Sequence, residues 1–259
     1  MFDFNGKVAA VTGGASGLGK ASATMFAKGG AKVAILDIDQ KNGPAAAAEI
    51  SKIGPGEARY FYCDVTKEDT VKKAFADVIA AFGKLDNLHA NTGIIDPVRY
   101  ITETSLEQWN HTLGINLTGM FLAAKYAIPE MQKNKSGNIV FTGSNWAYVC
   151  DPGFITYAAA KGGVVAFARA LALDHAKDNI RINVVCPGNI HTPLLDRQLS
   201  TEPDPEAALK KMGKISKPEE IANLVAFLAS DMSAAMRGSS VVIDQGETLQ
   251  YGPGLIPGA

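Results

Sequence analysis

Short apolar runs rich in β-branched residues alternate with longer stretches of helical period from one end of the chain to the other. Lys7 to Val11, Lys32 to Leu36, Ala58 to Cys63, Leu85 to Ala90, Asn138 to Phe141, Arg181 to Cys186 and Ser240 to Ile243 read as strands. Helices are expected in the intervals, beginning near Gly17, Lys41, Lys67, Ser105, Tyr157 and Pro218. The last would take Ser216 as its N-cap and carry Pro218 in its first turn, where a missing N–H costs nothing. Strand and helix in alternation, without repeats or low-complexity segments, predict an α/β fold: one doubly wound domain over 1–259 with a seven-stranded parallel sheet. One interval breaks the pattern. Between Cys186 and Ser216 the chain holds Pro193, Pro203 and Pro205 and little sustained period. A long connection inside a compact domain is often an active-site lid, here approximately 189–215.

Composition narrows the function. The chain has 259 residues, 47% hydrophobic and 20% charged, enough for a full core, and a net charge of −1. No run of Lys or Arg forms a basic stripe, so no nucleic acid and no anionic membrane surface is expected as partner. The N-terminus, Met-Phe-Asp-Phe-Asn-Gly-Lys-Val, lacks a signal-peptide pattern, and no apolar run reaches membrane-spanning length. A cytoplasmic protein acting on a small molecule is the expectation. Cys63, Cys150 and Cys186 form no close pair, and His89, His111, His175 and His191 show no ligand spacing, so neither a disulfide framework nor a metal is expected.

The candidate chemistry begins with Thr12-Gly13-Gly14-Ala15-Ser16-Gly17-Leu18-Gly19, between an apolar strand and an amphipathic helix. Glycines let the backbone approach a phosphate, and a helix N-terminus offers unpaired N–H groups to it. Gly14 to Lys20 also fits GxxxxGK, but Ala21 stands where a P-loop needs a hydroxyl for magnesium. Asp37, 18 residues after Gly19, ends the second strand, where a carboxylate can bind an adenosine ribose and repel a 2′-phosphate. Ile38 follows where a phosphate-binding arginine would sit, so NAD is favoured over NADP. Further on, Tyr157 and Lys161 stand four apart in a helical segment and share one face. A cation beside a phenol lowers its pKa; bringing it from about 10 to neutrality needs ~4 kcal/mol, of which one lysine could supply part and a cationic cofactor more.

Taken in order, these segments resemble the short-chain dehydrogenase/reductase family, from about Lys7 to Gly246. The turn matches TGxxxGxG, Asp64-Val65 an adenine-contacting Asp-Val, and Asn91-Thr92-Gly93 the NAG segment after the fourth strand. Asn116 matches a helix-borne asparagine, Ser144 with Tyr157 and Lys161 the Ser and YxxxK, and Pro187-Gly188 with Thr192 the PGxxxT that grips the nicotinamide carboxamide. Ser144 lies 13 residues before Tyr157. Two positions depart from the pattern: Thr92 replaces an alanine, and Gln245 interrupts Asp-Gly-Gly. The resemblance implies a Rossmann-type fold, a homotetramer and NAD, with Asn116, Ser144, Tyr157 and Lys161 catalytic. Tyr157 would be the general acid/base, Lys161 would lower its pKa and bind the nicotinamide ribose, Ser144 would bond the substrate oxygen, and Asn116 would hold a water linking Lys161 to solvent. Gly13, Ser16, Gly17, Leu18, Gly19, Asp37, Ile38, Asp64, Val65, Asn91, Gly93, Pro187, Gly188, Ile190 and Thr192 would join Tyr157 and Lys161 in holding the cofactor.

Substrate should lie above the strand ends, beside Ile94, Asn145, Trp146, Phe154, Asn189, His191 and Arg197, with Asp96, Arg99 and Asp151 nearby. An indole face stacks on a sugar ring and an amide bonds hydroxyls, so Asn145 and Trp146 favour a sugar, polyol or similar polar secondary alcohol. Arg99, His191 and Arg197 together would favour an anionic group. Two alternatives stay open: a reductase of an apolar ketone, steroid or 3-oxoacyl thioester, and a non-catalytic module sensing NAD. The apolar tail Tyr251 to Ala259 is expected against a neighbouring subunit.

Overall fold

A computed structural model describes residues 2–212 and 214–249; the tail Tyr251 to Ala259 lies outside the described residues. Seven strands, β1 (Val8–Thr12), β2 (Lys32–Asp37), β3 (Ala58–Tyr62), β4 (Asn87–Ala90), β5 (Gly137–Thr142), β6 (Ile180–Pro187) and β7 (Ser240–Ile243), form one sheet in the order β3-β2-β1-β4-β5-β6-β7. Every pairing is parallel. The strands alternate between two cores. In β1, Val8 and Ala10 enter one core while Ala9 and Val11 enter the other; in β2, Ala34 and Leu36 oppose Val33 and Ile35. A sheet buried on both faces is why these strands read as continuous apolar runs.

Helices α1 (Gly17–Lys28) and α2 (Asn42–Ile50) supply one core, together with α9 (Pro218–Ala229) near the C-terminus. Helix α3 (Glu68–Phe82) supplies the other, with α5 (Gly119–Lys133) and α6 (Ile155–Asp174). Before α5 the chain forms α4 (Leu106–Leu113) and then one π turn, Gly114–Thr118. The expected strand boundaries hold within two residues. Leu85 and Asp86 fall before β4, where the Asp86 carboxylate instead accepts from the Val8 N–H at 2.8 Å. The helix near Tyr157 begins two residues earlier, at Ile155.

Ser216 does not cap α9. Lys217 is the N-cap, and its N–H bonds the Glu220 carboxylate at 2.7 Å. Ser216 instead pairs with Ile190 as an isolated bridge, through Ser216 N–H to Asn189 O and His191 N–H to Ser216 O, both 2.9 Å. The expected lid region is not irregular. It carries α7 (Pro193–Leu199) and α8 (Pro205–Lys211), each opening on a proline.

One buried cation anchors the strand that enters the site. Arg181 of β6 is buried, and its Nη1 donates to Leu228 O and Ser233 O at 3.0 Å and to Ser233 Oγ at 2.8 Å, its Nη2 to Ser230 O at 2.8 Å. Its partners close α9 and the 3-10 turn Asp231–Ser233 that follows, and carbonyls at a helix C-terminus favour a positive charge. Arg181→Met is expected to lower stability by about 2 kcal/mol, because those carbonyls lose their donors. Denaturant unfolding measures this; a loss under about 0.5 kcal/mol would show that the guanidinium is dispensable.

Candidate active site

The order of strands reverses between β1 and β4, and a cleft opens there beyond the C-terminal strand ends, the place where doubly wound sheets bind ligands. It encloses about 1390 Å³, open mouth included. At one end lies the glycine turn. Gly13 (φ 65°) and Gly17 (φ 51°) adopt left-handed backbone that favours glycine, and α1 starts at Gly17 with no side chain capping its first-turn N–H groups. Ser16 precedes α1 without capping it, which leaves its hydroxyl available. Gly13, Ser16, Gly17 and Leu18 line the cleft with Asp37 and Ile38. Gly19 does not; it packs beneath the turn, where a Cβ would overlap the Gly13 carbonyl. The Asp37 carboxylate is held by the N–H groups of Ala15 (3.0 Å) and Asp39 (2.9 Å).

Asp64 and Val65 stay out of the cleft wall. The Asp64 carboxylate bonds the Thr66 hydroxyl (2.6 Å) and N–H (3.0 Å) and pairs with Lys67 at 3.3 Å. Burial pushes its pKa up, but these partners outweigh that and hold it below its usual value. Val65 supports α5, where a Cβ on Gly119 would strike it at 2.9 Å.

The middle of the cleft is stitched by Thr12 and Asn91. The Thr12 hydroxyl accepts from Asn91 N–H (2.9 Å) and Thr92 N–H (3.2 Å), while Asn91 Nδ2 donates back to Thr12 O at 3.3 Å. Asn91 Oδ1 accepts from Thr142 Oγ1 at 3.1 Å. Asn91, Gly93 and Ile94 line the wall; Asn116 does not. Asn116 is fully buried in the π turn, and its amide is committed to the backbone: Oδ1 accepts from Ile94 N–H, Nδ2 donates to Ile94 O, both 3.0 Å, and also to Thr112 O at 3.2 Å. It fixes the segment after Gly93, and Gly93 leaves room for it: a Cβ there would stand 2.7 Å from Asn116 Oδ1 and 3.5 Å from Lys161 Nζ. π turns recur at functional sites.

At the other end Ser144, Tyr157 and Lys161 meet. The ends of β5 and the first turns of α6 supply them. Lys161 Nζ donates to Thr142 O at 2.8 Å and stands 5.5 Å from the centre of the Tyr157 ring. Burial pushes the Tyr157 phenol up to about 12, only partly offset by its bond with Ser144, and burial brings Lys161 down to about 8. In the protein alone, burial thus favours both neutral forms over the pair of charges. Tyr157 is half-buried and lines the cleft, so a cationic ligand there would favour the phenolate.

Around the phenol, Trp146 packs edge-on to Tyr157 (5.7 Å, 88°) and against Phe154 (4.5 Å, 48°). Asn145, Trp146, Pro187, Gly188, Asn189, Ile190, Thr192 and Arg197 complete the wall. Phe154 belongs to an adjoining hollow with Asp96 and Val98, which also reaches Ile94 and Arg197. The Asp96 carboxylate faces the hydroxyls of Thr112 and Thr156, and burial raises its pKa. His191 is exposed and outside the wall. Arg99 lies in a separate hollow beside Gly153. Arg99, His191 and Arg197 therefore form no common anion site, and Asp151 is exposed. Glu247 was not singled out by the sequence, yet it bonds two of the wall's amides. Among the described residues no cluster of His, Cys, Asp and Glu could hold a metal, and no helix is long and apolar enough to cross a membrane.

The family model described as enoyl-(acyl carrier protein) reductase matches residues 13–248. The chain is 37% identical to a 2,5-dichloro-2,5-cyclohexadiene-1,4-diol dehydrogenase of Sphingobium indicum, over 96% of this chain and 99% of that one. It is 34% identical to an L-fucose dehydrogenase of Bos taurus, over 96% and 92%. The crystal structure of a levodione reductase superposes with a TM-score of 0.92 at 30% identity, covering 96% of this chain and all of that one. The chain belongs to the short-chain dehydrogenase/reductase family, oxidoreductases that use nicotinamide cofactors.

Proposed function

We propose that this protein oxidises a polar secondary alcohol, a sugar or polyol in class, to its carbonyl with NAD, the residues of the cleft acting as one site. The observation that carries this reading is the placement of Ser144, Tyr157 and Lys161 at one end of a continuous cleft whose other end is Asp37. The cradle fits a dinucleotide: positive-φ glycines and helix N–H groups suit a pyrophosphate, and Gly19 lets α1 close under the turn. Gly13, Ser16, Gly17 and Leu18 would hold the phosphates and Asp37 with Ile38 the adenosine. Asn91, Gly93, Pro187, Gly188, Ile190 and Thr192 would hold the nicotinamide half. When bound, oxidised nicotinamide supplies a hydride acceptor and a positive charge.

Tyr157 takes the proton of the substrate hydroxyl as the C–H bond breaks, and Ser144 bonds the same oxygen. Lys161 stabilises the phenolate and orients the ribose, and Asn116 positions the segment after Gly93 through the backbone of Ile94. Trp146 offers a ring face beside Tyr157, suited to a cyclic substrate. The chain acts as a single unit with 189–215 as its lid. A cytoplasmic homotetramer completes the reading, supported by exposed Leu106, Phe121 and Leu173 on α4, α5 and α6.

Absorbance of reduced nicotinamide across a panel of alcohols and sugars tests this; tight NAD binding without turnover on any of them would favour a sensor. The diol and sugar dehydrogenases among its relatives support the substrate class. Asp37→Ala is expected to lower kcat/KM for NAD by about tenfold, from loss of charge-assisted ribose bonds, and to raise the NADP to NAD ratio by at least as much. An unchanged ratio would remove Asp37 as the selector.

A further inference from the structure

Glu247 opens the short 3-10 turn Glu247–Leu249 that follows β7, far in sequence from the segments it joins. Its carboxylate accepts from Asn145 Nδ2 at 2.7 Å and from Asn189 Nδ2 at 2.9 Å. Asn145 immediately follows Ser144, Asn189 immediately follows Pro187-Gly188, and both line the cleft. An ionised carboxylate only accepts hydrogen bonds, so it decides which end of each amide faces it. The NH2 of Asn145 is drawn to Glu247, which turns its Oδ1 to the Ser144 hydroxyl, 3.3 Å away. The NH2 of Asn189 is drawn likewise, and no described residue donates to Asn189 Oδ1.

A row of polar groups therefore runs from Ser144 through Asn145 and Glu247 to Asn189; Ser144, Asn145 and Asn189 line the cleft and Glu247 stands behind them. Asp244 adds a second carboxylate behind it, held by the N–H groups of Gly246 (3.0 Å) and Thr248 (2.8 Å). The row is closely packed: a Cβ on Gly188 would stand 2.7 Å from Glu247 Oε2 and 2.8 Å from Asp244 Cβ. A wall with an amide acceptor at Asn189, backed by carboxylates, favours donors over anions. Hydroxyl groups suit it; carboxylates and phosphates do not.

We propose that Glu247 is a positioning residue that orients Asn145 and Asn189 to read a second substrate hydroxyl beside the one oxidised, so that the substrate is a vicinal diol or a sugar presenting one. This rests on the alcohol-oxidising reading above. Ser144 and Tyr157 hold the reacting hydroxyl, and Asn189 Oδ1 accepts from its neighbour. A site built to bond a hydroxyl discriminates against the analogue that lacks it, because its polar groups are then left unpaired.

The test compares cyclohexanol with cis- and trans-1,2-cyclohexanediol at saturating NAD, for the wild-type protein, Asn189→Ala and the isosteric Glu247→Gln. The expected wild-type result is at least about a tenfold higher kcat/KM for one diol than for cyclohexanol, seen chiefly in KM. Each variant should lose most of that preference, bringing the diol to cyclohexanol ratio near one, while thermal unfolding and the calorimetric Kd for NAD change little. If Glu247 serves only to hold the fold, Glu247→Gln lowers both rates together and keeps the ratio, which overturns the proposal. Should Glu247→Gln fail to fold, Asn189→Ala reports the same ratio. Cyclohexanol matching both diols in the wild type overturns the diol reading alone. A protein that binds NAD and oxidises none of the three, nor any other alcohol, fails the alcohol-oxidising reading itself.

Discussion

Tyr157→Phe is expected to reduce kcat for alcohol oxidation by about a thousandfold, ~4 kcal/mol in the barrier, while NAD affinity stays within a few-fold. The change removes one oxygen and keeps the ring that packs edge-on to Trp146. Cavity formation is therefore minimal, and the loss isolates the proton transfer. The sign of the pH dependence follows from the protein's own effect on the phenol. Burial holds Tyr157 up at about 12, so below that pH the neutral form dominates unless a cation in the cleft offsets it. Oxidation needs the phenolate as base. The wild-type rate should then rise with pH until the phenol has ionised, and the residual rate of the variant should stay flat. Stopped-flow kinetics over pH 6 to 10 read both effects, and a variant within tenfold of wild type would assign the proton to another group.

Gly19→Val is expected to weaken NAD binding by at least about a hundredfold, ~3 kcal/mol. The side chain would have to enter space held by the Gly13 carbonyl and stand 2.8 Å from Asn91 Nδ2. Neither neighbour is a flexible tip. Gly13 is fixed by its N–H to Leu36 O at 2.8 Å, and Asn91 by Thr12 and Thr142. Relief of the clash must displace the glycine turn, and the turn is the phosphate cradle. Calorimetric titration with NAD measures the loss, with near-ultraviolet circular dichroism to confirm the fold. Wild-type affinity would show that α1 can shift without opening the cradle.

The sheet was legible because its inner strands are buried on both faces, so their apolar runs stand out. Ile180–Pro187 shows this, buried at every position and expected to within one residue at each end. Helices α7 and α8 were not legible: at seven residues each they are too short to display a period, and their leading prolines read as loop when they are in fact first-turn residues. The π turn at Asn116 has no sequence period of its own.

Within the site, residues carried by short motifs could be placed from sequence. Tyr157 and Lys161 share a helix face, and Gly13 with Gly17 announce a turn. Effects that depend on surroundings could not. The burial that raises the Tyr157 phenol could not be read from sequence, nor could the exposure of His191 outside the wall. Glu247 carried no signal, since its partners lie 102 and 58 residues distant.

The most direct test of the account is isotopic. The protein is incubated with NAD and a vicinal diol deuterated at its carbinol carbons, and the recovered cofactor is read by proton NMR. The account expects deuterium at C4 of the reduced nicotinamide, one atom per carbonyl formed, with far less reaction when NADP replaces NAD. A protein that binds NAD but returns it unreduced and unlabelled, with every alcohol and sugar supplied, would contradict it.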